Sequence, residues 1–187
     1  MVIVASAGGL IALKTVLHSL PPGLRAAVLV LLHLAPDHPS MMAGLLAGST
    51  HRDVREAKGG EFPSAGTVFI APPNHHLEMG DDGALRLTRA PLVNFSRPSA
   101  DVLLESIAHP GRLLIAVVLT GAGRDGARGV AAVKAAGGRV IIQDPASAAF
   151  PGMPAAAIAT GAADWVLPLE SIGARIVELV EASTHGV

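Results

Sequence analysis

Val2-Ile3-Val4-Ala5-Ser6-Ala7-Gly8-Gly9-Leu10 is the stretch from which the fold of this chain is read. Its first four residues form a short apolar run rich in β-branched side chains, the pattern of a buried strand, and Leu10, Leu13 and Leu17 then recur at helical spacing. Ser6 therefore falls in the turn between a strand and a helix. Gly8 and Gly9 allow a sharp bend there, and the free N–H groups at the helix start face the space above the serine. A hydroxyl beside such an anion site is what an acyl-transfer nucleophile requires. The same serine would also suit a helix N-cap, and this stretch alone leaves both roles open.

Composition narrows the function classes. The chain has 187 residues, enough for one well-buried domain, and half of them are hydrophobic, with 21 Gly and 14 Pro marking many tight turns. Aromatic residues make up 3% and the formal net charge is -1, which offers neither a base-stacking surface nor a basic field for nucleic acid. Without cysteine there are no disulfides, thiolate metal sites or Cys nucleophile. No cation precedes the first apolar run, whose nearest lysine is Lys14, and residues 26–32 are too few to cross a bilayer. The expectation is a cytoplasmic, monomeric protein with no membrane insertion.

Buried-strand patterns recur at 2–5, 27–32, 67–71, 113–120, 139–143 and 165–167, with helical patterns at 40–46, 99–108, 126–136 and 170–182. Strands apolar on both faces that alternate with helices predict a single doubly wound α/β domain, a mainly parallel sheet flanked by helices. Segments 77–79 and 84–88 flank Asp81-Asp82-Gly83 and predict a β-hairpin added antiparallel at one sheet edge. The domain is expected to span 1–182, with a frayed tail at 183–187.

Ligands of such sheets sit beyond the carboxyl ends of the strands. Ser6 follows the first strand, His33 the second, and Asp125 lies in Gly121-Ala122-Gly123-Arg124-Asp125-Gly126 after the strand at 113–120. Together they make the inventory of a Ser-His-Asp triad: nucleophile, general base and orienting carboxylate. His33 could equally be a satisfied strand-end histidine, and Asp125 an N-cap or first-turn acid of the following helix. The glycine loop also matches G-x-G-x-x-G, and Asp144 about 20 residues later completes a dinucleotide-binding fingerprint. Against it, the motif falls late in the chain and Asp144-Pro145 enters a loop. His33, Asp37 and His38, the pair His75-His76, and His51 raise metal binding, but no helical H-x-x-x-H pair is present. Arg97, Arg124 and Arg128 could meet an acidic partner, although solvated surface arginine describes at least two of them.

With these residues assembled, the chain resembles the catalytic domain of the CheB-type chemotaxis methylesterases, the protein-glutamate methylesterases. The resemblance runs from about Val2 to Glu178. It rests on Ala5-Ser6-Ala7-Gly8-Gly9, His33 with Pro36, Ile70-Ala71-Pro72 with His76, Arg97-Pro98-Ser99-Ala100-Asp101, Leu119 and Thr120 with the glycine loop through Ala127, Gln143-Asp144, and Gly152-Met153-Pro154. It implies seven strands and hydrolysis of glutamate methyl esters on chemoreceptor helices, often with deamidation of glutamines. By match, Ser6 is the nucleophile, His33 the general base and acid, and Asp125 the orienting carboxylate, with no cofactor and no metal. Backbone N–H groups near Ala7, Gly8, Ala122 and Gly123 are the candidate oxyanion hole. Three residues depart from the family pattern: Val4 for Gly, Ala7 for Thr and Ala122 for Met, which implies a wider or altered substrate mouth. In the family's two-domain members an N-terminal phosphoreceiver domain restrains the esterase; this sequence starts directly in its first strand, so the expectation is an esterase domain without that control. A receptor-binding module without turnover and a dinucleotide-binding domain remain the rival readings.

Overall fold

A computed structural model describes residues 1–33, 40–111 and 113–184. Pro36, Asp37 and His38, named above, lie outside the described residues, as does the end of the expected tail. In chain order the elements are β1 (Val2–Ala5), α1 (Gly9–Ser19), β2 (Val28–Leu32), α2 (Met42–Ala47), β3 (Asp53–Glu56), β4 (Thr67–Ile70), β5 (His76–Met79), β6 (Leu85–Thr88), α3 (Ala100–Ile107), β7 (Ile115–Val118), α4 (Ala127–Ala135), β8 (Arg139–Gln143), α5 (Gly152–Ala159), β9 (Trp165–Leu167) and α6 (Leu169–Thr184).

Seven strands form one sheet in the order β3-β4-β2-β1-β7-β8-β9, every pair parallel. β1 is buried along its whole length because it lies at the centre with a hydrophobic layer on each face. The strand period of two divides its residues between those layers. Val2 and Val4 join Leu103, Leu104, Val130 and Met153 under α3, α4 and α5, whereas Ile3 and Ala5 join Leu13, Leu17, Leu46 and Ile176 under α1, α2 and α6. The chain winds outward from β1 through β2, then returns to β7 and winds the other way. The carboxyl ends of β1 and β7 thus flank the reversal point, where a doubly wound sheet opens its crevice.

The hairpin forms where expected, but it does not extend the sheet. β5 and β6 pair only with each other. Leu77 and Leu85 are fully buried in the α3-side layer, and Met79 N–H donates to Ser106 Oγ of α3 (3.0 Å), so the hairpin roofs a helix instead of lengthening an edge. Two elements lacked a clear sequence pattern. β3 is an edge strand, Asp-Val-Arg-Glu, with alternate residues exposed, and α5 starts with Gly-Met-Pro. α6 continues to Thr184, past the expected boundary at 182. Among the described residues no helix is long and apolar enough to cross a membrane.

Candidate active site

The β1–β2 ladder sets Ala5 opposite Leu32 and is continued by His33 N–H donating to Ala5 O (3.2 Å), so Ser6 and His33 are the next neighbours beyond it. On the other side of β1, Ser6 N–H donates to Thr120 O just past β7 (3.0 Å). Ser6 is not the cap of α1. Gly8 holds that position at φ +73, with no side-chain capping bond, and Ser6 O instead accepts Gly9 N–H (2.8 Å) to close the turn. Its hydroxyl makes no hydrogen bond to another described residue.

His33 reaches from the end of β2 to Asp125, beyond β7, with Nε2 2.8 Å from Asp125 Oδ2. Because β1 lies between those strands, the imidazole spans the strand end from which Ser6 emerges. Asp125 is 3% exposed and does not cap its own helix; Gly126 is the N-cap of α4. It caps α3 instead. Oδ2 accepts Ala100 N–H (2.6 Å) as well as His33, while Oδ1 accepts Ser99 Oγ–H (2.7 Å), Asn94 Nδ2–H (2.9 Å) and Asp101 N–H (3.3 Å). Burial alone would raise this carboxyl, but the hydrogen bonds from His33, Asn94, Ser99 and Ala100 overcome it and hold the pKa at about 2. An ionised carboxylate at Nε2 favours the tautomer with the proton on that nitrogen, which leaves the free lone pair on Nδ1. The usual serine-protease arrangement uses the two nitrogens the other way round.

Gly121 makes room for the serine. A Cβ there would lie 2.9 Å from Ser6 Cβ and 2.2 Å from Met153 Sδ. The same loop is fastened by Gly121 N–H to Phe150 O (2.9 Å) and Met153 N–H to Gly121 O (2.8 Å). Thr120 Oγ1 donates to Ala7 O (3.1 Å) and accepts from Phe150 N–H (2.8 Å), and Gln143 Oε1 receives Thr120 N–H (2.8 Å). Among the described residues, the N–H groups of Ala7, Gly8, Ala122 and Gly123 donate to no protein acceptor and stand open beside the turn. Of the three departures from the family pattern, Ala122 is exposed and Ala7 half-buried, whereas Val4 is fully buried in the core; Gly8 and Gly123 are exposed.

The remaining candidates have structural employment. Asp144 accepts Ala146 N–H (3.0 Å) and caps a short 3-10 turn, Pro145–Ser147, while Met153 fills the space above Gly121, so the G-x-G-x-x-G spacing serves the serine turn and not a pyrophosphate. His76 is buried, receives Ser99 N–H at Nδ1 (3.2 Å) and donates from Nε2 to Pro91 O (3.0 Å). His75 accepts Arg89 Nε–H (3.0 Å). Among the described residues no group of three His, Asp or Glu is arranged to hold a metal. Arg97 binds Asn74 Oδ1 (2.6 and 3.0 Å) and the carbonyls of Arg89 and Ala90, and Arg128 pairs with Glu105; Arg124 stays exposed. Sequence reasoning missed Asn94 and Ser99 as holders of Asp125. Ser99, just before an Ala-Asp helix start, was the available signal.

A serine, an imidazole and a buried carboxylate thus stand at the carboxyl ends of the strands that flank the reversal point of a parallel α/β sheet. The chain belongs to the CheB methylesterase family, whose model matches residues 1–176. It is 45% identical over 180 residues to the protein-glutamate methylesterase/protein-glutamine glutaminase 2 of Anaeromyxobacter dehalogenans, covering 96% of this chain and 52% of that one. It is 42% identical over 181 residues to the enzyme of the same name from Pseudomonas aeruginosa, covering 93% and 51%. The chain thus spans about half the length of the curated relatives it matches. The crystal structure of the Thermotoga maritima CheB methylesterase catalytic domain superposes with a TM-score of 0.89 at 35% identity, over 95% of this chain and 96% of that one.

Proposed function

We propose that this chain is a serine ester hydrolase that demethylates glutamate methyl esters on chemoreceptor-like signalling proteins and deamidates glutamines at such sites. The observation that carries the reading is the hydrogen bond of His33 to buried Asp125, drawn across the strand end that bears Ser6. The relatives' names support the substrate class. Ser6 Oγ attacks the ester carbonyl carbon as its proton passes to His33 Nδ1. The resulting imidazolium is stabilised by ionised Asp125 at Nε2–H, and the oxyanion meets the open N–H groups of Ala7, Gly8, Ala122 and Gly123. Collapse breaks the bond to the methoxy oxygen, which takes the proton from His33 and leaves as methanol. Water then gives a proton to His33 and attacks the acyl-serine carbonyl, Ser6 Oγ leaves with the proton from His33, and the glutamate departs as its acid, which ionises by giving its proton to solvent. A glutamine follows the same course with ammonia as leaving group.

The test is methanol release from methylated chemoreceptor cytoplasmic fragments. Release at a rate proportional to protein supports the reading; absence of release from folded protein that still binds the fragment replaces it with a receptor-binding module lacking turnover.

A further inference from the structure

Asn94 and Phe95 make a two-residue turn in which Val93 and Ser96 exchange both backbone hydrogen bonds (3.2 and 2.9 Å) at φ +49 and +61. Two successive left-handed residues of this kind favour Asn first and Gly second. Asn94 fits the rule, and its Nδ2 reaches inward to Asp125 Oδ1 (2.9 Å) and Asp101 Oδ2 (2.7 Å). Phe95 breaks it. A bulky side chain at positive φ is strained, and this one is also 98% exposed, so it contributes no packing to its own fold.

Aromatic side chains are scarce here, four Phe and one Trp in 187 residues, and Phe69 is spent in the core. Two of the others stand exposed on the loops that build the site. Phe150, 46% exposed, belongs to the loop fastened to Thr120 and Gly121, with its ring edge 3.4 Å from where a Cβ on Gly8 would lie. Phe95 adjoins the residue that holds the triad carboxylate. Phe95 is linked to His33 only through Asn94 and Asp125, a chain of three residues that a protein presenting the ester on its surface is large enough to extend across.

Resting on the ester-hydrolase reading above, we infer that Phe95 is a docking residue for the protein that carries the scissile ester, seating against an apolar strip beside the reacting glutamate. Exposed aromatics that bury on contact are the usual anchors of protein recognition. The tie through Asn94 keeps that anchor in fixed register with the catalytic histidine.

The test separates docking from chemistry. In Ser6→Ala protein, which retains substrate without turning it over, adding Phe95→Ala is expected to raise the Kd for a methylated receptor fragment about tenfold, measured by fluorescence anisotropy. In the otherwise unaltered protein, Phe95→Ala should raise KM for the fragment to a similar extent while leaving kcat and the hydrolysis of p-nitrophenyl acetate unchanged. Phe95→Gly should weaken docking equally and raise Tm by about 2 °C, because glycine relieves the positive φ. An unchanged Kd overturns the inference whether or not the protein is an esterase, and so does an equal loss on fragment and small ester. Failure of the unaltered protein to hydrolyse either ester would instead count against the hydrolase reading alone.

Discussion

Ser6→Ala is expected to lower methyl-ester hydrolysis by about 10⁴-fold or more while leaving the fold untouched. A nucleophile that forms the covalent bond has no substitute in its site, and what survives its removal is the modest contribution of oxyanion donors and binding. The structural side of the expectation is equally specific. The Ser6 hydroxyl caps nothing and bonds to no described residue, and the turn around it is closed by backbone groups. Its loss should therefore change stability by less than about 0.5 kcal/mol. Thermal melts paired with the methanol assay check both halves, and retained hydrolysis or a marked fall in Tm would each contradict the role given to this serine.

Asp125→Asn is the second large effect, and it should reach both rate and stability. Each oxygen of Asp125 accepts at least two donors, Oδ2 from His33 and Ala100, Oδ1 from Ser99, Asn94 and Asp101. An amide nitrogen in either place faces a donor. Turned toward His33, it also forces the proton from Nε2 to Nδ1 and removes the base that Ser6 needs, a tautomer error of the kind that lowers kcat about 10⁴-fold. The carboxyl is held at about 2 against an ordinary 3.8, so its ionised form contributes roughly 2 kcal/mol to folding at neutral pH. Because the folded value is the lower one, that contribution is complete above about pH 4 and is lost as pH falls toward 2. Urea melts of the two proteins should differ most at pH 7 and converge between pH 4 and 2; a gap independent of pH would show that the carboxylate charge is not what the network stabilises.

The doubly wound fold was legible because its strands are apolar on both faces, a signal that survives without knowledge of neighbours. β1, β2 and β7 are such strands, and Ser6, His33 and the glycine loop could be placed at strand ends from them alone. β3 was hidden for the opposite reason: an edge strand with Asp53 and Arg55 facing outward carries only Val54 as its apolar mark. The hairpin's turn chemistry was plain in Asp81-Asp82-Gly83, but which surface Leu77 and Leu85 cover depends on α3, which lies elsewhere in the sequence. The same limit applies to the carboxylate. Asp125 has the sequence look of a cap for its own helix, and only the tertiary fold turns it toward the start of α3 and toward Asn94, 31 residues away. Nor does sequence reveal which imidazole nitrogen meets the acid; in the fold it is Nε2 that lies 2.8 Å from Asp125 Oδ2.

Labelling with a fluorophosphonate, followed by peptide mapping, tests the central claim most directly. The account predicts a single adduct on Ser6 in the folded protein, with labelling slowed by orders of magnitude when His33 is replaced by glutamine. An adduct on another serine, or labelling of Ser6 at an undiminished rate without His33, would contradict it.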